Sequence, residues 1–191
     1  MKKIAIFASG SGSNAENIIQ YFISRPEICV DSVFCNVPDA YVLKRAEKYN
    51  IPTFLFDRKD LKDPEKVFQT LQERQIDFIV LAGFLWLMPA FIVSAFPDKI
   101  INIHPALLPH YGGKGMYGMK VHEAVIAAGE KESGITIHYI NNRYDEGSPI
   151  FQARCRIETK DTPESLAQKV HALEYEHFPR VIEETIQHLK N

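Results

Sequence analysis

The chain is 191 residues long and 46% hydrophobic, which supports one sizeable core and makes a second domain crowded, so residues 1–191 are expected to form a single domain. A formal net charge of −2 lacks the basic field that nucleic-acid binding leaves, and the apolar run after Met1-Lys2-Lys3 is far shorter than the ~18 residues of a membrane span, with no signal-peptide cleavage pattern behind it. Nucleic acid and membrane are therefore not expected as partners, and Cys29, Cys35 and Cys155, without metal-ligand spacing, read as reduced thiols of a cytoplasmic protein.

Residues 4–8 form a short apolar run, followed by Ser9-Gly10-Ser11-Gly12-Ser13-Asn14 and then by Ala15, Ile18, Ile19 and Phe22 at helical spacing. This is strand, glycine loop, helix. Glycines admit close backbone approach and a helix amino terminus offers unpaired donors, so the loop suits a phosphate; a glycine turn that serves helix packing alone is the competing reading. Gly10-x-Gly12-x-x-Ala15 fits a loose dinucleotide fingerprint, but Val33-Phe34-Cys35 leads to Asn36 where that fingerprint wants an acid.

Helix-like order returns over 39–49, with Leu43 and Ala46, and a strand over 51–55. The charged stretch Asp57-Arg58-Lys59-Asp60 reads as a solvated loop from which Arg58 can reach a ligand, and 64–74 as an amphipathic helix with Val67, Phe68 and Leu71 inward. Residues 78–82 are continuously apolar, as a strand buried on both faces near the centre of a parallel sheet would be. After Gly83, Phe84-Leu85-Trp86-Leu87-Met88-Pro89 stays apolar where a loop is normally polar. It either walls a pocket for a flat ring or plugs the sheet. Residues 90–95 are helix-like.

The most informative stretch is Ile100-Ile101-Asn102-Ile103-His104-Pro105. Proline removes a ladder donor and holds its predecessor extended, so the strand should end at His104. Side chains alternate along a strand, which puts Asn102 and His104 side by side on one face, at the carboxyl end where open α/β sheets gather ligands. They are either a core pair bonded to backbone or the centre of a reaction.

Residues 110–118 carry four glycines and read as a tightly turned or mobile loop over the strand ends. A helix over 119–128 follows, then alternation over 134–140, read as a strand with one partly wetted face. The turn cluster 141–147 joins it to a strand over 149–157, making an edge hairpin. The last helix opens with Thr162 as cap, Pro163 and Glu164, buries Leu166, Val170, Leu173, Val181, Ile182 and Ile186, and should kink at Pro179. Glu174-x-x-His177 on it lacks the second motif that a di-iron centre requires, and no metal is expected. The whole reads as α/β and Rossmann-like, a mostly parallel central sheet with helices on both faces and an edge hairpin near the carboxyl terminus.

Together, Ser9-Gly10-Ser11-Gly12-Ser13-Asn14, Leu81-Ala82-Gly83-Phe84, the run from Asn102 through His104 to Leu107-Leu108-Pro109, and Asp145-x-Gly147 make the chain resemble the phosphoribosylglycinamide formyltransferase family over essentially its full length. That resemblance implies transfer of a formyl group from 10-formyltetrahydrofolate to the amine of 5-phosphoribosylglycinamide in purine synthesis. It implies Asn102, His104 and Asp145 as catalytic residues, with the carboxylate raising the imidazole pKa. Gly12, Ser13 and Asn14 would hold the acceptor's phosphate and Glu174 its amine end. Leu85, Trp86, Leu87 and Met88 would line the pterin pocket, closed by the turn at 141–145, with Arg58 and Asn102 also touching the folate. The implied partners are these two small molecules, no metal is implied, and a homodimer is compatible. A phosphate-binding half over about 1–100 and a folate and catalytic half over about 100–191 are expected.

Departures from the family are Trp86, where relatives often carry arginine, Ala106 for the commoner serine, and the loop Tyr111-Gly112-Gly113-Lys114-Gly115-Met116-Tyr117. Methionyl-tRNA formyltransferases carry a further carboxy-terminal domain for which 191 residues leave no room. A nicotinamide-dependent oxidoreductase and a non-catalytic nucleotide sensor would use the same first loop.

Overall fold

The structure, a computed structural model, describes residues 1–189. Among these, strands β1 (Lys2–Ala8), β2 (Ile28–Cys35), β3 (Thr53–Leu55), β4 (Phe78–Leu81), β5 (Ile100–His104), β6 (Glu132–Tyr139) and β7 (Pro149–Arg156) form one seven-stranded sheet in the order β3-β2-β1-β4-β5-β6-β7. The first five in that order pair in parallel and the last two join antiparallel. β4, apolar and buried at every position, is the middle strand. Successive strands run outward one way from β1 and the other way from β4, so the chain leaves the neighbouring carboxyl ends in opposite directions and opens a crevice between them.

Alternation along β1 explains the two cores. Ile4 and Ile6 face a layer containing α1 (Ser13–Phe22), α2 (Tyr41–Lys48), α6 (Met119–Ala127) and α7 (Pro163–His188). Ala5 and Phe7 face the other layer, which holds α3 (Arg58–Lys62), α4 (Gln69–Glu73) and α5 (Ala90–Ala95). Phe7 stacks on Phe34 at 4.8 Å and meets Phe56 and Phe84 edge-on, an aromatic block beneath the crevice.

Four expectations are corrected. The stretch at 57–60 is not a loop: Asp57 accepts from the Lys59 and Asp60 amides at 2.6 and 2.9 Å while Asp60 accepts from the Asp57 amide, a capping box that starts α3. The helix at 64–74 begins with a π-helical turn, Pro64–Phe68, before α4. β6 has no wetted face from Ser133 to Tyr139's neighbour His138, because the segment after β5 folds over it: Thr136 Oγ1 donates to the Ala106 carbonyl at 2.7 Å and accepts the Leu108 amide at 2.9 Å. The stripe of the 26-residue α7, which contains Pro179, is also different: it includes Glu174 and Phe178, while Leu173, expected inside, is only partly covered.

Candidate active site

β5 and β6 pair antiparallel with Asn102 opposite His138 and His104 opposite Thr136, which brings a second histidine onto the face already carrying the Asn102–His104 pair. The turn after β6 returns Asp145 across the top, with φ +56°. Asp145 then meets all three side chains: its Oδ2 lies 3.5 Å from His104 Nδ1, and its Oδ1 lies 3.6 Å from His138 Nε2 and accepts from Asn102 Nδ2 at 3.4 Å. The Gly113 amide donates to Oδ2 at 2.8 Å, tying the glycine-rich loop to the same carboxylate.

Carbonyl partners assign the tautomers, since a carbonyl oxygen can only accept. His104 Nε2 lies 2.7 Å from the Tyr111 carbonyl and therefore carries the hydrogen, so in the neutral ring Nδ1 presents a lone pair toward Asp145. His138 Nδ1 donates to the Tyr139 carbonyl at 2.8 Å, leaving Nε2 to accept from Asn102 Nδ2 at 3.1 Å. Both hydrogens of the Asn102 amide are thus engaged, the weaker one with Asp145.

Burial pushes the His104 pKa down and outweighs the Asp145 charge and the Tyr111 carbonyl, which raise it. The expectation that the carboxylate leaves this imidazole raised is corrected: with 3% of its surface exposed, desolvation wins. Burial alone would push the Asp145 carboxyl up, but the neighbouring His138 and His104 imidazoles and the Gly113 amide hold it below the ordinary carboxylate range. A neutral imidazole beside an ionised carboxylate can accept a proton and be stabilised once it has done so. The Asn102 amide can donate to a developing oxyanion.

The glycine loop forms the other end of the crevice. Gly12 has φ +73°, and a Cβ there would lie 2.4 Å from Val42 Cγ2, so no side chain fits. Three consecutive loop carbonyls or side positions are held by α2: the Val42 amide donates to the Gly10 carbonyl, Arg45 Nε donates to the Ser11 carbonyl at 2.9 Å, and Val42 packs under Gly12. Arg45 is clamped in turn by an ion pair with Glu16. Ser13 opens α1, and Asn14, next along it, donates through Nδ2 to Glu174 Oε2 at 2.9 Å across 160 residues of sequence. His171 Nδ1 lies 2.8 Å from the same oxygen. Asn14 and Glu174, both expected at the acceptor, are therefore together.

A cavity of about 280 Å³ opens beside the crevice, lined by Arg58, Lys62, Trp86, Leu87 and Met88 together with Asn142 and Tyr144 from the turn that bears Asp145. The Arg58 guanidinium lies 4.6 Å from the Trp86 ring centroid. Leu85 is not part of this lining; its side chain is exposed and its amide donates to Ser9 Oγ at 3.1 Å. Met88 is buried in the core and supports the wall from behind. This cavity draws on residues from both sides of position 100, and Glu174 reaches the loop of residues 9–14. A larger cavity, about 370 Å³, lies behind the turn Leu107, Leu108, Pro109 and contains none of Asn102, His104 or Asp145.

Residues 2–182 match the family model described as formyl transferase. The chain belongs to the formyl transferase family. It is 40% identical over 188 residues to the chloroplastic phosphoribosylglycinamide formyltransferase of Arabidopsis thaliana, covering 95% of this chain and 64% of that protein, so it spans a little under two thirds of that relative. It is 35% identical over 191 residues to the phosphoribosylglycinamide formyltransferase of Bacillus subtilis, covering 97% and 95%. The crystal structure of phosphoribosylglycinamide formyltransferase from Anaplasma phagocytophilum superposes with a TM-score of 0.89 at 35% identity, covering 98% of this chain and 87% of that one.

Of the groups that meet in this candidate site, the sequence does not point to His138, the Tyr111 carbonyl or the Gly113 amide. For His138 the signal lies in strand pairing: Thr136 and His138 share a strand face as Asn102 and His104 do, and pairing the two strands puts the faces together. The Tyr111 carbonyl and Gly113 amide are backbone groups, whose direction the loop conformation sets and residue identity does not.

Proposed function

We propose that this chain transfers the formyl group of 10-formyltetrahydrofolate to the amine of 5-phosphoribosylglycinamide. The observation that carries the reading is the convergence of Asn102 and His104 on Asp145, at 3.4 and 3.5 Å, at the carboxyl end of β5 beside the crevice. The neutral amine attacks the formyl carbon and the carbonyl oxygen becomes an oxyanion. The new C–N bond forms, the bond to N10 breaks, and the amine's proton must reach N10. Asn102 gives up its 3.4 Å contact with Asp145 to donate to the oxyanion. One such donor is typically worth ~3 kcal/mol in the transition state. His104 Nδ1 takes the amine's proton, Asp145 stabilises the resulting imidazolium, and the same nitrogen returns the proton to the leaving N10.

The loop of Gly12, Ser13 and Asn14 receives the acceptor's phosphate at the amino terminus of α1, and Glu174 holds the acceptor between phosphate and amine. Arg58, Trp86 and Leu87 take the folate, with Met88 behind them. One domain over 1–191 performs the reaction, in the cytoplasm, where the free Cys29, Cys35 and Cys155 fit a reducing milieu.

Tetrahydrofolate release followed spectrophotometrically with the glycinamide ribotide as acceptor tests the reading. Turnover that requires both substrates and falls when the riboside replaces the ribotide is the expected result. Absence of turnover, or saturable binding of NAD(H) in place of the reduced folate, overturns it.

A further inference from the structure

Three successive residues of the glycine-rich loop lie against the catalytic pair. The Tyr111 carbonyl accepts from His104 Nε2 at 2.7 Å, the Gly113 amide donates to Asp145 Oδ2 at 2.8 Å, and Gly112 between them runs so close to Asp145 that a Cβ on it would lie 3.2 Å from the aspartate's own. Tyr111 takes φ +58°, a left-handed conformation that a bulky side chain keeps only where its surroundings hold it. Its side chain packs against the first apolar layer but also borders the cavity of about 370 Å³, so packing alone does not enclose it. What fixes the outer end is a hydrogen bond from the Tyr111 hydroxyl to Glu130 Oε1 at 2.7 Å, and Glu130 stands in the short turn between α6 and β6. Glu130, Tyr111 and His104 thus form one line of contacts from the surface to the base.

The position of that carbonyl decides which imidazole nitrogen is the base. Each nitrogen of the His104 ring faces an acceptor: the Tyr111 carbonyl lies 2.7 Å from Nε2, and the Asp145 carboxylate 3.5 Å from Nδ1. A carboxylate is the stronger acceptor, and a neutral imidazole with equal access to both would place its one hydrogen on Nδ1, where the lone pair that receives the amine's proton is then lost. At 2.7 Å against 3.5 Å the carbonyl keeps the hydrogen on Nε2 instead, because only the shorter contact is a full hydrogen bond. We infer that Tyr111 is a positioning residue for His104, and that its hydroxyl bond to Glu130 holds the carbonyl where it keeps the His104 lone pair on Nδ1. The chemistry assigned to that lone pair rests on the proposed function; the placing of the hydrogen does not.

Nitrogen NMR and kinetics test the two halves separately. In the wild-type chain the His104 imidazole resonances, assigned by their absence in His104→Gln, should report a hydrogen on Nε2 and a bare Nδ1. Tyr111→Phe and Glu130→Ala should each move them toward the Nδ1–H form with the melting temperature near wild type, and should lower kcat about fivefold with KM for ribotide and folate little changed. Glu130→Gln keeps an oxygen that accepts from the phenol and should recover most of the loss. The double variant Tyr111→Phe, Glu130→Ala should be no slower than either single variant, since both break the same bond. An Nδ1–H form in the wild-type chain, wild-type kcat in Tyr111→Phe, a loss of kcat with the His104 resonances unmoved, or a double variant slowed by the product of the single effects overturns the inference. An Nε2–H form that gives way in both variants of a chain without formyl transfer upholds the inference and overturns only the functional reading.

Discussion

The two ends of the crevice are built on opposite plans. At the end of β5 and β6, Asn102, His104, His138 and Asp145 satisfy one another and the Tyr111, Gly113 and Tyr139 backbone, so the base is held in place before any substrate arrives and Asn102 has only its 3.4 Å contact with Asp145 to release. At the glycine loop, Asn14 Oδ1 is buried with no partner, beside the Glu174 carboxylate that its own amide nitrogen binds. Electrostatic stabilisation acts without reorganisation only where dipoles are fixed in advance, whereas selective binding is strongest where a missing ligand leaves polar groups unmet. One end is therefore prepared for a transition state and the other for a molecule.

Substitutions at the prepared end should act on kcat and leave acceptor binding nearly intact. The largest effect belongs to Asn102→Ala and His104→Ala, each lowering kcat about a thousandfold in a single-turnover assay, with the ribotide dissociation constant changed less than threefold. Near-normal turnover in either removes the chemistry assigned to the pair. Asp145→Asn comes next, at about a hundredfold in kcat, and it carries a pH signature. Burial holds the His104 pKa below the ordinary value of 6.5, so activity is lost as pH falls through that depressed pKa. The Asp145 charge opposes the depression, and removing it should move the acid limb of the kcat profile to lower pH still. Stability has the same sign: below about 6.5 the unfolded chain binds protons that the buried neutral His104 does not, and the depressed Asp145 carboxyl adds a second loss at lower pH. Melting temperature should therefore fall on acidification from pH 7 to 5.

Much of the prepared end was legible in the residues themselves. The strand ending at His104, the shared face of Asn102 and His104 and the hairpin beside them follow from a proline and from alternation, both local properties. Asp145 was legible only through the family resemblance, because a turn aspartate looks the same whether or not a histidine waits across the sheet. The burial of β6 was misjudged for a related reason. Its polar face is covered by Ala106 and Leu108, residues that arrive from the preceding strand's exit, and periodicity within a strand carries no information about what is later laid over it. The α3 capping box differs in kind, since Asp57 and Asp60 state it in sequence even though the stretch as a whole has the polarity of a loop.

At the receiving end the effects should be smaller and should appear in KM. Gly12→Ala places a Cβ 2.4 Å from Val42 Cγ2 and 2.7 Å from the Val42 backbone at a φ of +73°, so α2 must shift and take Ser11 with it through Arg45. Ribotide KM should rise about tenfold and stability fall by about 1–3 kcal/mol, seen in denaturant unfolding, with folate KM unmoved. An equal rise in both KM values would mean that loop and folate wall move as one body.

The smallest effect is expected at Arg58, on the rim of the cavity beside Trp86. Trp86 turns one edge to Phe56 at 6.1 Å between ring centroids and its face to the Arg58 guanidinium, so the ring is fixed and the cation is held over it. Trp86→Ala removes a wall and should raise folate KM about tenfold. Arg58→Ala removes only an exposed cation, and about threefold is expected, with kcat and ribotide KM as in wild type. Arg58→Lys discriminates between charge and shape. A planar guanidinium stacks on an indole and an ammonium does not, so if stacking holds the rim together lysine should behave like alanine. If only the positive charge matters to the folate's carboxylates, lysine should restore wild-type KM and the restored difference should vanish as salt is raised.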